Sequence, residues 1–323
     1  CAPTWAASKR SSRCADMAEA SFLTVPGSGE PTRPFAEVVD GARRALPPAF
    51  PHEADKVMVA LDIDGTVLTP RGASHHVRAG IRELVAAGAQ VVIASGRAPE
   101  DEMFDVLDEL GFTNGWVVCN NGATVLRVSG GGVEVVRQEF LDPAPLIDSA
   151  LEAMPEAVFY SAVPGAKRLL SAPFPPGELE QGSEIIPLER MRSTPTPKIV
   201  VRAPGMGREE FDRAIHSLSA ADRYEVFVGW TSWADIGPLG ATKASALEWL
   251  RSRLGVPRDG TVAVGDGTND IAMIEWAFFG AAMGGATEEV RACADHVTAA
   301  VENDGAAAVM RVVLERCGAD GAR

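Results

Sequence analysis

The chain has 323 residues, 46% of them hydrophobic, and a formal net charge of −14. That length and apolar share suit two packed domains better than one. The acidity argues against nucleic acid or an anionic membrane as partner, since both need basic patches; a phosphorylated small molecule stays open, because a few local cations and a metal can serve it.

Residues 1–50 show little hydrophobic periodicity and read as a poorly ordered N-terminal extension. Residues 1–16 precede Met17 and read as an upstream segment; a lipid-bearing Cys1 is the alternative, with no signal sequence to support it. "KVMVALDI" is then a buried strand, and "HHVRAGIRELVAAGA" a helix with Val77, Ile81, Leu84 and Val85 at helical spacing. "QVVIASGR" is a second strand, "PEDEMFDVLDELG" a helix with acids in its first turn, and "GWVVCNNGA" a third strand. This β-α-β-α-β order predicts a parallel sheet with right-handed crossovers.

The rhythm breaks at "ATVLRVSGGGVEVVRQEF", which reads as a hairpin around a glycine-rich turn. A helix, two strands, the proline-rich and apparently irregular "PFPPGELEQGSEIIPLERMRSTPT", then strand, helix and two strands complete an inserted α+β block. From "GATKASALEWLRSRLG" the α/β alternation returns and closes on the helix "DGAAAVMRVVLERCG". The expected architecture is α/β: a Rossmann-like parallel-sheet core over 51–123 and 239–318, with an inserted α+β cap domain over 124–238.

Cys1, Cys14, Cys119, Cys293 and Cys317 form no CxxC pattern, which points to a reduced, cytoplasmic setting. The longest apolar runs are too short for a membrane span.

Polar clusters fall where the core strands end, the rim at which open α/β sheets bind ligands. They are Asp62 and Asp64 in "DIDGT", Ser95 in "ASGR", Asn120 and Asn121 in "CNNGA", and Asp266, Asn269 and Asp270 in "GDGTND"; Lys243 opens the helix before the last. In a strand, residues two apart share a face, so Asp62 and Asp64 would crowd one side and call for a cation or a reacting group. An EF-hand fails, because the sixth position from Asp62 is Val67 and the twelfth Ala73. Each cluster alone has an ordinary reading as a turn or a helix cap. Acids, a hydroxyl, amides and one lysine on a single rim suit Mg²⁺ and a phosphoryl group. Asp62 can attack phosphorus and Asp64 can move the proton; Gly65 permits a tight turn whose N–H groups hold phosphoryl oxygens, and Ser95 and Lys243 donate to the same oxygens.

"DIDGT", "ASGR", "NNGA", "GATKASAL" and "GDGTNDIAMI" resemble the haloacid dehalogenase superfamily. The tail "AAMGGATEEVRACADHVTAAVENDGAAAV" resembles its Cof-like phosphatase branch with a large α/β (type IIB) cap. The resemblance implies Asp62 as nucleophile and Asp64 as general acid/base. It implies phosphate binding by Ser95 and Lys243, and a Mg²⁺ site made by Asp62, the Asp64 carbonyl and Asp266, with Asn269 and Asp270 in support. Asn121 and Gly122 would lie near the substrate. Together these readings give Gly65, Thr66, Ser95, Gly96, Lys243 and Asn269 as phosphate-binding candidates and Asp62, Asp64, Asp266 and Asp270 as metal candidates. In the cap, Arg168, Lys198 and Arg202 are candidate contacts or plain surface cations. The expected activity is Mg²⁺-dependent hydrolysis of a small phosphomonoester, in first place a sugar phosphate, by a monomer or homodimer. A phosphomutase and a non-catalytic phospholigand binder are the alternatives.

Overall fold

A computed structural model describes residues 32–165, 168–179, 182–218, 221–229 and 231–318; Cys1, Cys14 and Met17 lie outside them. The described chain falls into two compact units, one running through Val136 and resuming at Thr242, the other spanning Arg137–Ala241.

The first unit contains α1 (Phe35–Ala45), β1 (Met58–Leu61), α2 (His75–Ala87), β2 (Gln90–Ala94), α3 (Asp101–Glu109), β3 (Asn114–Cys119), β4 (Thr124–Ser129) and β5 (Gly132–Gln138). After the second unit, with α4 (Ala144–Ala153), β6 (Val158–Ser161), β7 (Arg168–Leu170), β8 (Ser183–Ile185), α5 (Leu188–Arg192), β9 (Ile199–Arg202), α6 (Arg208–His216), β10 (Tyr224–Val228) and β11 (Trp233–Pro238), the first resumes. Its remaining elements are α7 (Lys243–Leu254), β12 (Thr261–Gly265), α8 (Ile271–Trp276), β13 (Phe279–Ala282), α9 (Glu288–Ala292), β14 (His296–Val297) and α10 (Gly305–Arg316).

An eight-stranded sheet of order β14-β13-β12-β1-β2-β3-β4-β5 forms the first unit's centre. β1 runs parallel to both β12 and β2, and β2 parallel to β3, while β4 returns antiparallel. Every residue of β1 is buried, as expected for a strand covered on both faces. Val59 and Leu61 face a core shared with α1, α2, α3 and α10. Met58 and Ala60 face a second core with α7 and α8.

Helix ends follow local chemistry. Ser74 caps α2 by accepting the Val77 N–H, and Gly88 closes it in the left-handed conformation. Thr242 and Ser245 form a reciprocal capping box at the start of α7. The buried stripe of α7 is Lys243, Ala246, Leu247 and Leu250, so Lys243 occupies a core-facing position of its helix.

The second unit is a six-stranded sheet of order β10-β11-β9-β6-β7-β8. Its core joins Phe159, Val201, Ala234 and Ile236 of the sheet to Ile147, Met191, Phe211 and Ile215 of the helices. Trp233 pairs with Arg202 across β11 and β9 and lies on the opposite face by strand alternation. There Phe174 packs edge-on against Trp233, and Glu178 holds Arg202 through two 3.0 Å hydrogen bonds.

Several sequence expectations are corrected. Part of the supposedly loose extension is α1, whose Val38, Val39 and Ala42 are buried as it packs on α10. The hairpin assigned to the insertion is β4 and β5, which extend the core sheet. The stretch read as irregular contains β8 and α5, the latter anchored by fully buried Met191. Lys198 is no surface cation: it is buried and paired with Asp235 at 3.3 Å.

Candidate active site

β1 stops at Leu61, so Asp62 and Asp64 stand on the turn that follows it, not in a strand. The Asp62 N–H still bonds the Val264 carbonyl of the neighbouring β12, which fixes Asp62 just past the carboxyl end of a central strand. Beyond it the Ile63 carbonyl accepts N–H groups from Thr66, Val67 and Leu68, curling the chain back. Gly65 takes φ +81°, and a Cβ there would come within 2.3 Å of an Asp266 carboxylate oxygen. This turn sends the two carboxylates to different partners, so the expected crowding on one face does not occur. It also commits the Gly65 and Thr66 N–H groups, to Leu68 and Ile63, rather than leaving them for phosphoryl oxygens.

Asp62 is buried and accepts from Lys243 Nζ at 2.6 Å; Asp270 accepts from the same nitrogen at 2.6 Å. The second oxygen of Asp270 accepts the backbone N–H groups of Asp266 and Gly267, each at 2.9 Å. Asp270 thereby shapes the β12 loop that presents Asp266. The approach needs Gly265, where a Cβ would lie 2.5 Å from the Asp270 side chain. Thr66 Oγ1 donates to Asp266 at 3.1 Å.

Asp62, Asp266 and Asp270 each offer an oxygen within 4.8 Å of the others. The Asp64 carboxylate lies outside that group, in keeping with an expected metal role for its carbonyl alone; it turns to Arg97, which donates at 3.0 and 2.7 Å. Burial, then the Asp270 charge, pushes the Asp62 carboxyl well above the usual carboxylate range, with Lys243 only partly offsetting them. Burial and Asp270 likewise push Asp266 up to about 7. Burial pulls Lys243 down, but Asp270 and Asp62 outweigh it and hold the ammonium charged. Three carboxylates thus share one lysine, an excess of buried negative charge on oxygen donors alone. Such a donor set fits a hard divalent cation.

The remaining candidates adjoin this centre. Ser95 is buried at the end of β2; its Oγ accepts the Arg97 N–H at 3.1 Å and keeps its own proton to donate. Gly96 is the half-buried residue between them. Asn121 is buried and left-handed at φ 52°, and its Oδ1 accepts from Asn269 Nδ2 at 2.9 Å. Gly122 has φ +118°, and a Cβ there would lie 2.2 Å from the Thr242 carbonyl oxygen. The Asn-Gly turn therefore abuts the cap of α7, the helix that delivers Lys243. Gly122→Ala should lower stability by about 1–3 kcal/mol through strain and backbone overlap. Gly131→Ala, at φ +83° with open space around it, should cost less; paired thermal melts compare the two.

Sequence reasoning missed one residue of the centre, Arg97. It was visible as the last letter of "ASGR", but nothing local marks its partner as Asp64.

A family model of haloacid dehalogenase-like hydrolases matches residues 59–150 and 182–310. The chain belongs to this family. Among relatives of this hydrolase, phosphatase YwpJ of Bacillus subtilis is 26% identical over 300 residues, spanning 80% of this chain and 99% of its own. The hydrolase shares its fold with phosphatase BT1666 from Bacteroides thetaiotaomicron, at TM-score 0.68 and 24% identity over 85% of this chain and 98% of that one. It also shares it with the subclass IIB sugar phosphatase BT4131, at TM-score 0.67 and 21% identity over 79% and 98%. No helix among the described residues is long and apolar enough to cross a membrane.

Proposed function

We propose that this hydrolase is a Mg²⁺-dependent phosphatase that releases inorganic phosphate from a small phosphomonoester, in first place a sugar phosphate. The observation that carries the reading is Lys243 Nζ, fully buried and 2.6 Å from both Asp62 and Asp270, beside Asp266. A binding pocket for phosphate has no use for three clustered carboxylates, two of them buried, which repel an anion. A nucleophilic carboxylate set beside a cation site does. The relatives' names, phosphatase YwpJ among them, support hydrolysis; the sugar rests on the likeness to BT4131.

Asp62 and Asp266 would hold the cation, with Asp270 fixing their loop and Lys243. The cation would neutralise charge on the phosphoryl oxygens. An Asp62 oxygen attacks phosphorus, the bond to the leaving oxygen breaks, and Asp64 gives that oxygen a proton. Water then attacks the aspartyl-phosphate as Asp64 takes its proton; the Asp62–phosphorus link breaks and phosphate leaves. Lys243 and the Ser95 hydroxyl donate to phosphoryl oxygens throughout.

Phosphate release from a panel of phosphorylated metabolites, with and without Mg²⁺, tests the reading. Metal-dependent release ranks the substrates; no release from any of them by folded protein with Mg²⁺ present would overturn it.

Without metal, pH should act through Asp62 and Asp266, both raised by burial and Asp270; Asp266 shows the sign. Its carboxyl binds a proton more tightly folded, at about 7, than the ordinary 3.8. Stability is then full at low pH and falls as pH rises toward and through about 7, by at most about 1.4 kcal/mol per pH unit for one proton. Mg²⁺ should raise the melting temperature more at pH 8 than at pH 5, since protons compete for its ligands. Melts at both pH values, with EDTA and with Mg²⁺, check this.

A further inference from the structure

Asp64 and Arg97 stand apart from the Asp62, Asp266 and Asp270 trio. The Asp64 side chain is 47% exposed and that of Arg97 24%. An ordinary ion pair this exposed would count for little. This one differs in two respects.

The contact is bidentate, with Nε on one carboxylate oxygen at 3.0 Å and Nη2 on the other at 2.7 Å. Such a fork fixes the direction of a carboxylate, which a single ammonium does not. The arginine is also anchored at its backbone. Its N–H donates to Ser95 Oγ at 3.1 Å, and its carbonyl accepts the Asn120 N–H at 2.9 Å. The neighbouring Asn121 N–H bonds the Ser95 carbonyl at 3.1 Å. The loops after β2 and β3 thus brace the Arg97 backbone, and its guanidinium reaches the loop after β1. Without it, Asp64 hangs from a flexible side chain beside three carboxylates that offer it no donor.

We infer that Arg97 is a positioning residue for Asp64 and that it serves the water-activating half of the reaction. The inference rests on the proposed phosphatase reading. The fork occupies one lone pair on each Asp64 oxygen and leaves a further one for a water molecule. That is the state required when water attacks the aspartyl-phosphate: the proton passes from water to Asp64, the new P–O bond forms, and the bond from phosphorus to Asp62 breaks. Formation of the aspartyl-phosphate depends less on Asp64 when the leaving group needs no proton. Arg97 should therefore matter most for the second step.

The test is rapid-quench kinetics with p-nitrophenyl phosphate and Mg²⁺ on wild type, Arg97→Met and Arg97→Lys. Misplacing a catalytic base by about 1 Å costs on the order of 10²-fold, so Arg97→Met should slow steady-state turnover by about tenfold to a hundredfold. It should show a burst of p-nitrophenol and a larger standing fraction of phosphoenzyme than wild type. Arg97→Lys keeps the charge without the fork and should lie between them, with an unchanged melting temperature. A raised KM with unchanged kcat would overturn the inference, making Arg97 a substrate contact instead. Equal slowing of both steps in Arg97→Lys at an unchanged melting temperature would also overturn it. If wild type itself forms no phosphoenzyme and releases no phosphate, the underlying phosphatase reading fails instead.

Discussion

Asp62→Asn is expected to lower kcat by a factor on the order of 10⁴ or more, since it removes the attacking oxygen rather than a contact. The fold should survive. Asn has nearly the same shape, and the Asp62 carboxylate is costly where it stands: burial and Asp270 both disfavour its charge. What raises Asp266 to about 7 is burial and Asp270, both of which the variant keeps. In EDTA the variant should therefore melt no lower than wild type at pH 8, even with phosphate release gone. Its loss of a ligand charge should weaken the Mg²⁺-induced rise in melting temperature. Phosphate release and paired melts report both halves. A variant that is inactive because it is unfolded would show in the melts.

Lys243→Met should have the opposite signature. The ammonium lies 2.6 Å from both Asp62 and Asp270, and its side chain is fully buried. Met fills a similar volume but leaves these carboxylates without their cation. Removing one partner of a buried ion pair typically costs about 3–5 kcal/mol. The loss should be greatest at alkaline pH, where the Asp62 carboxylate would have to ionise unpaired, and should shrink at pH 5 as it takes up a proton. Divalent cation should recover part of it by supplying the missing charge. Urea unfolding at pH 5 and pH 8, with and without Mg²⁺, measures all of this. Activity should fall with stability and should not return with metal, because the lysine's hydrogen bonds to phosphoryl oxygens are gone.

Much of the fold was legible because burial leaves a periodic trace. The all-buried β1 and β12 read as apolar runs, and α2 as a stripe at Val77, Ile81 and Leu84. The site was legible for a related reason: chemistry sits where such runs end, so Asp62, Ser95, Asn121 and Asp266 announce themselves by position. What was hidden depends on contacts distant in sequence. α1 looked like part of a loose extension because its apolar face is completed by α10, at the other end of the chain. The β4–β5 hairpin has the pattern of any antiparallel pair, and only its bonding to β3 makes it part of the core sheet. β8 and α5 are too short for periodicity to register. The divergence of Asp62 and Asp64 was hidden because the strand ends one residue before Asp62, and neither Lys243 nor Arg97 lies near them in sequence.

The central claim is that phosphate passes through Asp62. Quenching the enzyme during turnover with a saturating phosphomonoester and Mg²⁺, reducing it with borohydride and mapping the peptides by mass spectrometry tests this directly. An acyl phosphate at Asp62 is reduced to homoserine, so the account predicts homoserine at position 62, dependent on substrate and Mg²⁺. Rapid phosphate release with an unmodified Asp62, or with the label on another residue, would contradict it.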